Sequence, residues 1–140
     1  MQKYETNLAS EFYILAALYR LGADAALSLG NKKAVDITIV RAAGDTLTID
    51  VKGVAGKYDW PADNISKETK PRHFVVFVSF EGKFSSPSEV PSIWVVPHAD
   101  VERFRIQYKG RSNISRAQLI ANGKQYRDNW RVMLSTETQS

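Results

Sequence analysis

Three acids and a lysine stand where apolar residues would be cheaper. Asp36 interrupts the β-forming run from Ala34 to Val40, and Asp50 and Lys52 interrupt a second such run from Thr46 to Val54. An aspartate inside a strand is unfavourable on propensity alone. Burying its carboxylate costs several kcal/mol unless it is paired or metal-bound. Carboxylates completed by water are what a hard divalent cation such as Mg²⁺ (or Mn²⁺) takes in near-octahedral geometry. Asp36 and Asp50 offer two such oxygens, the Val51 carbonyl another, and Glu11, from an earlier helical stretch, one more, directly or through water. Asp50 and Lys52 are two residues apart on one strand, so their side chains share a face about 7 Å apart. The lysine then reaches a water or a phosphate beside the ion without ligating it. A cation there polarises a phosphoryl oxygen and activates an attacking water, and Lys52 positions that water or offsets the developing negative charge. The chemistry implied is phosphodiester hydrolysis.

The elements around these residues must agree on a face. Val35, Ile37 and Ile39 alternate with Asp36 and Thr38, and Leu47, Ile49 and Val51 alternate with Thr48, Asp50 and Lys52. The intervening residues decide the pairing. A three-residue loop, Ala42-Ala43-Gly44, sets Asp36 against Asp50, with Gly44 supplying the left-handed position. Moving the loop one residue on sets Asp36 against Lys52, and the first register is preferred. An even-length loop mixes the faces and destroys the cluster. Upstream, Leu8, Phe12, Leu15 and Tyr19 follow helical spacing, as do Ile14, Leu18 and Leu21. Thr6, or else Ser10, is the expected N-cap and Gly22 the expected stop. This helix is apolar on most of its circumference and is expected to be largely buried, with Glu11 on or beside an apolar stripe. A bland alternative for Glu11 is an acid favouring the helix dipole. For the Asp–Lys pair it is an exposed ion pair worth a fraction of a kcal/mol.

The rest of the chain reads as support. Ala23 to Leu29 is a weak strand, followed by a basic turn whose Lys32 and Lys33 are expected to join in holding a phosphate backbone. Residues 53–70 read as a loop with a short helix near Ala62 to Glu68. There Lys57, Lys67, Lys70 and Arg72, with Tyr58 and Trp60 among them, combine charge for phosphates with rings for stacking. Strands are expected over His73–Phe80 and Ser92–Val96, then helices from Asp100 through Tyr108, from Ser115, and from Tyr126 to Leu134. His73 and His98, far apart in sequence, are expected to be structural or solvated. With 140 residues, no cysteine, a net charge of +4 and no apolar run of membrane-spanning length, the composition is that of one folded domain (1–140) in the cytoplasm. The positive excess leans towards a polyanion.

The set Glu11, Asp36 and Asp50-x-Lys52 resembles the PD-(D/E)XK nuclease superfamily, which includes restriction endonucleases and Holliday junction resolvases. The resemblance covers about Thr6 to Gly53, and Val35 stands where the family's nominal name has proline. It implies an α/β (α+β) fold: a central mixed sheet of about five strands flanked by helices, the restriction endonuclease-like αβββαβ core. It further implies a Mg²⁺-dependent endonuclease acting on nucleic acid, DNA above all. Glu11, Asp36 and Asp50 would be the acids and Lys52 the lysine, working alone or as a homodimer. The alternatives are a nucleic-acid-binding module without catalysis and a protein-interaction subunit presenting Trp94, Tyr126 and Trp130.

Overall fold

The structure is a computed structural model, and it describes residues 2–28 and 35–134. Lys32 and Lys33, expected to contact phosphate, lie outside the described residues. Helix α1 spans Gln2–Arg20 and ends as expected. Gly22 adopts φ 85°, its N–H donates to the Tyr19 carbonyl at 3.0 Å, and the Ala23 N–H donates to the Leu18 carbonyl at 2.9 Å. This paired closure is the Schellman arrangement that a left-handed glycine permits. The start differs from expectation. Gln2 to Glu5 are competent helix formers with an acid in the first turn, so Thr6 is interior and buried. Ser10 is no cap either, because its hydroxyl donates back to the Thr6 carbonyl at 2.7 Å. Nor is α1 buried all round: Ile14 and Leu18 are fully buried, whereas Phe12 and Tyr19 on the outer side stay exposed.

Strand β1 is Asp24–Leu27, β2 Ile37–Val40 and β3 Thr46–Val54. After β4, the two residues Trp60–Pro61, come β5, His73–Ser79, and β6, Ser92–Pro97. The main sheet runs β1-β2-β3-β5-β6. Among the described residues only β3 and β5 pair in parallel, so the sheet is mixed. Strand β5 is buried along its whole length, as its unbroken apolar run requires of a central strand. The crossover between β3 and β5 differs from expectation. It contains β4 and successive turns where a short helix was expected near residues 62–68, because Pro61, Asp63 and Asn64 favour turns over helix.

The chain then forms a short helix α2, His98–Val101, followed by a single 3₁₀ turn. Strands β7, Arg105–Tyr108, and β8, Arg111–Ile114, form a hairpin where a continued helix and a polar connection were expected. Lys109 and Gly110 both have positive φ, 49° and 77°, which is the two-residue turn that matches strand twist. Gly110 is the hairpin's second turn residue. This hairpin pairs with β4 as a second sheet, β4-β8-β7. Helix α3, Arg116–Asn122, is capped by Ser115 as expected, its hydroxyl accepting from the Gln118 N–H. Helix α4 is only Arg131–Leu134.

The two faces of the main sheet carry separate apolar clusters. On one, Ile14 and Leu18 of α1 meet Ile37, Ile39, Leu47, Ile49 and Val51. On the other, Val75, Phe77, Trp94 and Val96 meet Trp60, Ile114, Leu119 and Tyr126. By alternation along β3, Thr48, Asp50 and Lys52 belong to the second face. Trp94 and Tyr126 are buried there, so they present no surface to a partner protein.

Candidate active site

The expected hairpin and register are present. Ile37 pairs with Ile49 and Val40 with Thr46. Arg41 N–H donates to the Asp45 carbonyl at 2.9 Å, which leaves Ala42-Ala43-Gly44 as the loop. Gly44 has φ 91°, and Arg41 and Asp45 close the turn with an ion pair. Continued one residue beyond the Ile37–Ile49 pair, this register would set Asp36 opposite Asp50, and the Asp36 N–H, bonded to the Ile49 carbonyl at 3.0 Å, keeps Asp36 beside β3.

Asp36 precedes β2 rather than lying within it, and that position gives it a job. Its Oδ2 accepts the Val51 N–H at 2.7 Å. In β3 the odd residues turn their backbone groups to β2, as the Asp36 N–H to Ile49 carbonyl bond shows. The even residues turn theirs to β5, as the Thr48 N–H to Arg72 carbonyl bond shows. Val51 is thus the first odd residue past the end of β2, and the Asp36 carboxylate stands in for the missing rung. The Val51 carbonyl faces the same edge.

Asp50 is held from the other side. Its Oδ2 lies 3.2 Å from His73 Nε2, and His73 Nδ1 lies 2.7 Å from Thr48 Oγ1. A carboxylate only accepts, so the His73 Nε2–H donates to Asp50, while His73 Nδ1 shares a hydrogen bond with the Thr48 hydroxyl. Burial alone would raise the Asp50 pKa. The His73 hydrogen bond and charge, with Lys52 and Lys70 adding to them, outweigh burial and hold the carboxyl below its usual value, so it is ionised at neutral pH. The His73 side chain is 1% exposed and that of Asp50 20% exposed. The His98 ring stands edge-on to His73, centroids 5.3 Å apart, and its Nδ1 accepts the Lys70 N–H at 2.9 Å.

The two histidines are therefore neighbours, contrary to the expectation from their separation in sequence, and His73 is a site residue that sequence reasoning missed. Thr48 and His73 meet only because β3 and β5 pair in parallel with Thr48 opposite His73. A histidine opening a wholly apolar strand is the one trace of this in the sequence.

Lys52 lies one step along the same face and borders a cleft that Thr6 and Asn7 of α1 also line. Glu11 is buried at 7% exposure. It lies one helical turn beyond Asn7 and one before Leu15, on the side of α1 that meets β3. That approach is close: a Cβ built at Gly53 would stand 1.9 Å from Ser10 Oγ. Among the described residues no three His, Asp or Glu side chains converge as a ready-made ligand set. The donors present are a pair of ionisable carboxylates and a backbone carbonyl, a hard-oxygen set that suits Mg²⁺ with several waters retained.

The basic, aromatic segment divides. Lys57, Lys67, Lys70 and Arg72 are exposed, and Tyr58 is 65% exposed. Lys70 faces Asp50 closely enough to lower its pKa. Arg72 acts on Asp45 at the hairpin turn, at the opposite end of β3 from Lys52. Trp60 does not offer a stacking face: it is fully buried, packs edge-on to Trp94 and donates its ring N–H to the Val78 carbonyl at 3.0 Å. Indole burial with a satisfied N–H is the more stable arrangement for so large a ring.

The chain thus presents a five-stranded mixed sheet flanked by helices, with the acid-bearing hairpin at one side. The solved structure of a bacterial homing endonuclease, I-Ssp6803I, matches it with a TM-score of 0.58 over 96% of this chain and 94% of that chain. Sequence identity between the two is 18%, so the likeness is one of fold. No protein-family model and no curated protein matches the chain. Among the described residues no helix is long and apolar enough to cross a membrane.

Proposed function

We propose that this protein is a divalent-metal-dependent nuclease that hydrolyses phosphodiester bonds in nucleic acid, with DNA the first substrate to examine. The observation that carries the reading is the hydrogen bond from the Val51 N–H to the Asp36 carboxylate at 2.7 Å, which holds that carboxylate at the stretch of β3 that carries Asp50 and Lys52. A Mg²⁺ or Mn²⁺ ion would be held by Asp36, Asp50 and the Val51 carbonyl, with Glu11 directly or through water. Such an ion supplies charge to the phosphoryl oxygen and acidity to a water. Asp36 keeps one oxygen on the Val51 N–H, so its carboxylate is oriented before any ligand arrives. His73 fixes the Asp50 carboxylate in the same way and acts as a positioning residue. Lys52 offers its ammonium to the attacked phosphate and the incoming water. Lys57, Lys67 and Lys70 hold the flanking backbone by charge. The endonuclease fold is compatible with this assignment and supports it.

One observation favours a second reading, a nucleic-acid-binding module without catalysis. One oxygen of Asp50 is already engaged by His73, and no third acid converges on the pair among the described residues. A metal titration followed by thermal unfolding separates the two. The nuclease reading expects Mg²⁺ to raise the melting temperature, since a ligand at a hundredfold its Kd adds roughly 2.7 kcal/mol, and expects Asp36→Ala and Asp50→Ala to lose that rise. No metal response alongside salt-sensitive DNA binding would decide for the inert module.

A further inference from the structure

A cleft of about 600 Å³ opens at the Lys52 end of the carboxylate face. Asn7 of α1 stands on one side, Tyr58 and Asn64 of the crossover on another, and Arg111 of β8 closes it. The crossover wall is fastened rather than loose. Ala62 N–H donates to the Ser112 carbonyl at 2.9 Å. The Arg105 guanidinium donates to the carbonyls of Ala62 and Ile65, each at 2.8 Å. The cleft is thus formed before any ligand binds.

Tyr58 is one of several exposed rings outside both apolar clusters, at 65% exposure, and it is the exposed ring that lines this cleft. It is also seated. A Cβ built at the buried Gly56 would stand 2.5 Å from the ring's Cε2, so the ring rests against that glycine's backbone with its remaining surface open. An aromatic platform of this kind stacks nucleic-acid bases. Asn7 and Asn64 bring paired donors and acceptors suited to a base edge. Charge orients the ligand. Lys52 marks the phosphate end. Asp63, its Oδ1 taken by the Ser112 N–H at 2.8 Å, offsets the charge of Arg111 beside it on the cleft's lining, which leaves Lys52, among the described residues that line the cleft, as the cation not offset by a lining acid. A paired duplex is read by protein elements that enter its grooves, whereas a concave cleft receives a base that has left the stack.

We propose that this cleft takes one unpaired nucleotide, its base on Tyr58 and its phosphate at Lys52. The substrate class is then nucleic acid with an unpaired base beside the attacked phosphate: single strands and the gaps or frayed ends of duplexes, in preference to continuous duplex. The placement of the attacked phosphate rests on the nuclease reading, whereas the stacking platform does not.

The test separates the two. An oligonucleotide carrying a fluorescent adenine analogue is titrated with protein in the absence of divalent metal, as a single strand and paired with its complement. The parent is expected to bind the single strand more tightly and to quench the analogue. Tyr58→Ala is expected to weaken single-strand binding by about tenfold and abolish the quench, and Tyr58→Phe to restore it. Tyr58 is exposed, so its loss leaves the core intact. Equal affinity for both forms, no binding to either, or a Tyr58→Ala protein that binds and quenches like the parent would overturn the proposal. Tyr58-dependent quenching in a protein that cuts nothing when Mg²⁺ is added keeps the subsite and removes the nuclease reading. Cleavage by Tyr58→Ala with the parent's ratio of single-strand to duplex rates keeps the nuclease reading and removes the subsite.

Discussion

His73 and Asp36 do similar work by different means: each fixes a carboxylate or is itself a fixed carboxylate, and each draws on a backbone feature. Asp36 is oriented by the unpaired rung at Val51, and Asp50 by an imidazole that Thr48 in turn orients. Removing a partner of this kind lowers metal affinity or activity by roughly 10–100-fold. His73→Ala is therefore expected to raise the Mg²⁺ concentration needed for half-maximal cleavage by about that factor, with His73→Gln recovering part of the loss through its amide donor. An unchanged metal requirement in His73→Ala would remove the positioning role. At this scale the sequence was informative where alternation governs. Asp50 and Lys52 stand on the face of β3 that alternation assigns them, and Asp36, read as interrupting a strand, lies just before one. His73 was not legible, since its partner lies 23 residues away and only the strand pairing joins them. Trp60 misled for a related reason: a ring in a polar, glycine-rich stretch reads as exposed, and only tertiary packing buries it.

Between elements, the contact of α1 with β3 sets how far Glu11 stands from the hairpin. Gly53 is essential to it, because a Cβ there would meet Ser10 Oγ at 1.9 Å and Ser10 Cβ at 2.8 Å. Gly53→Ala is expected to cost about 1–3 kcal/mol in urea unfolding, the usual cost of overpacking. In the double variant with Ser10→Ala, which removes the nearer clash, the loss is expected to be smaller than the sum of the two single effects. Strict additivity would show that helix and strand adjust independently. The Ala42-Ala43-Gly44 turn and the Gly22 helix stop were legible because each needs a positive φ that glycine supplies. The β7–β8 hairpin was not. Its turn places Lys109, not a glycine or asparagine, at positive φ, and the preceding residues carry a helical spacing that pairing with β8 overrides.

For the whole molecule, the carboxylate face is roofed by the crossover and by α2, and His98 joins the roof to the site. Burial, then the His73 and Lys70 charges, push the His98 pKa below its ordinary value, against the Ser66 backbone bond and the Asp50 charge. Between that lowered value and an unfolded value near 6.5, the unfolded chain holds more protons. Stability is therefore expected to fall as pH drops from about 7 through that window and to level off below the folded pKa. Melting temperatures across this range should fall with pH for the parent and stay flatter for His98→Asn, whose side-chain oxygen can still accept the Lys70 N–H. Parallel curves would place the acid sensitivity elsewhere. The order of the main sheet was foreseeable in its first three strands, where turn and alternation are local. The second sheet was not, because β4 is two residues long and gains its partners only from β8.

The claim beneath all of this is that Asp36, Asp50 and Lys52 form one hydrolytic site. The direct measurement is the single-turnover cleavage rate on single-stranded, gapped and duplex DNA in Mg²⁺ and Mn²⁺, for the parent beside Asp50→Asn and Lys52→Ala. Metal-dependent cleavage by the parent, lowered by about 10²–10³-fold in each variant, is the predicted result. No cleavage of any form by the parent, or parental rates in both variants, would contradict it.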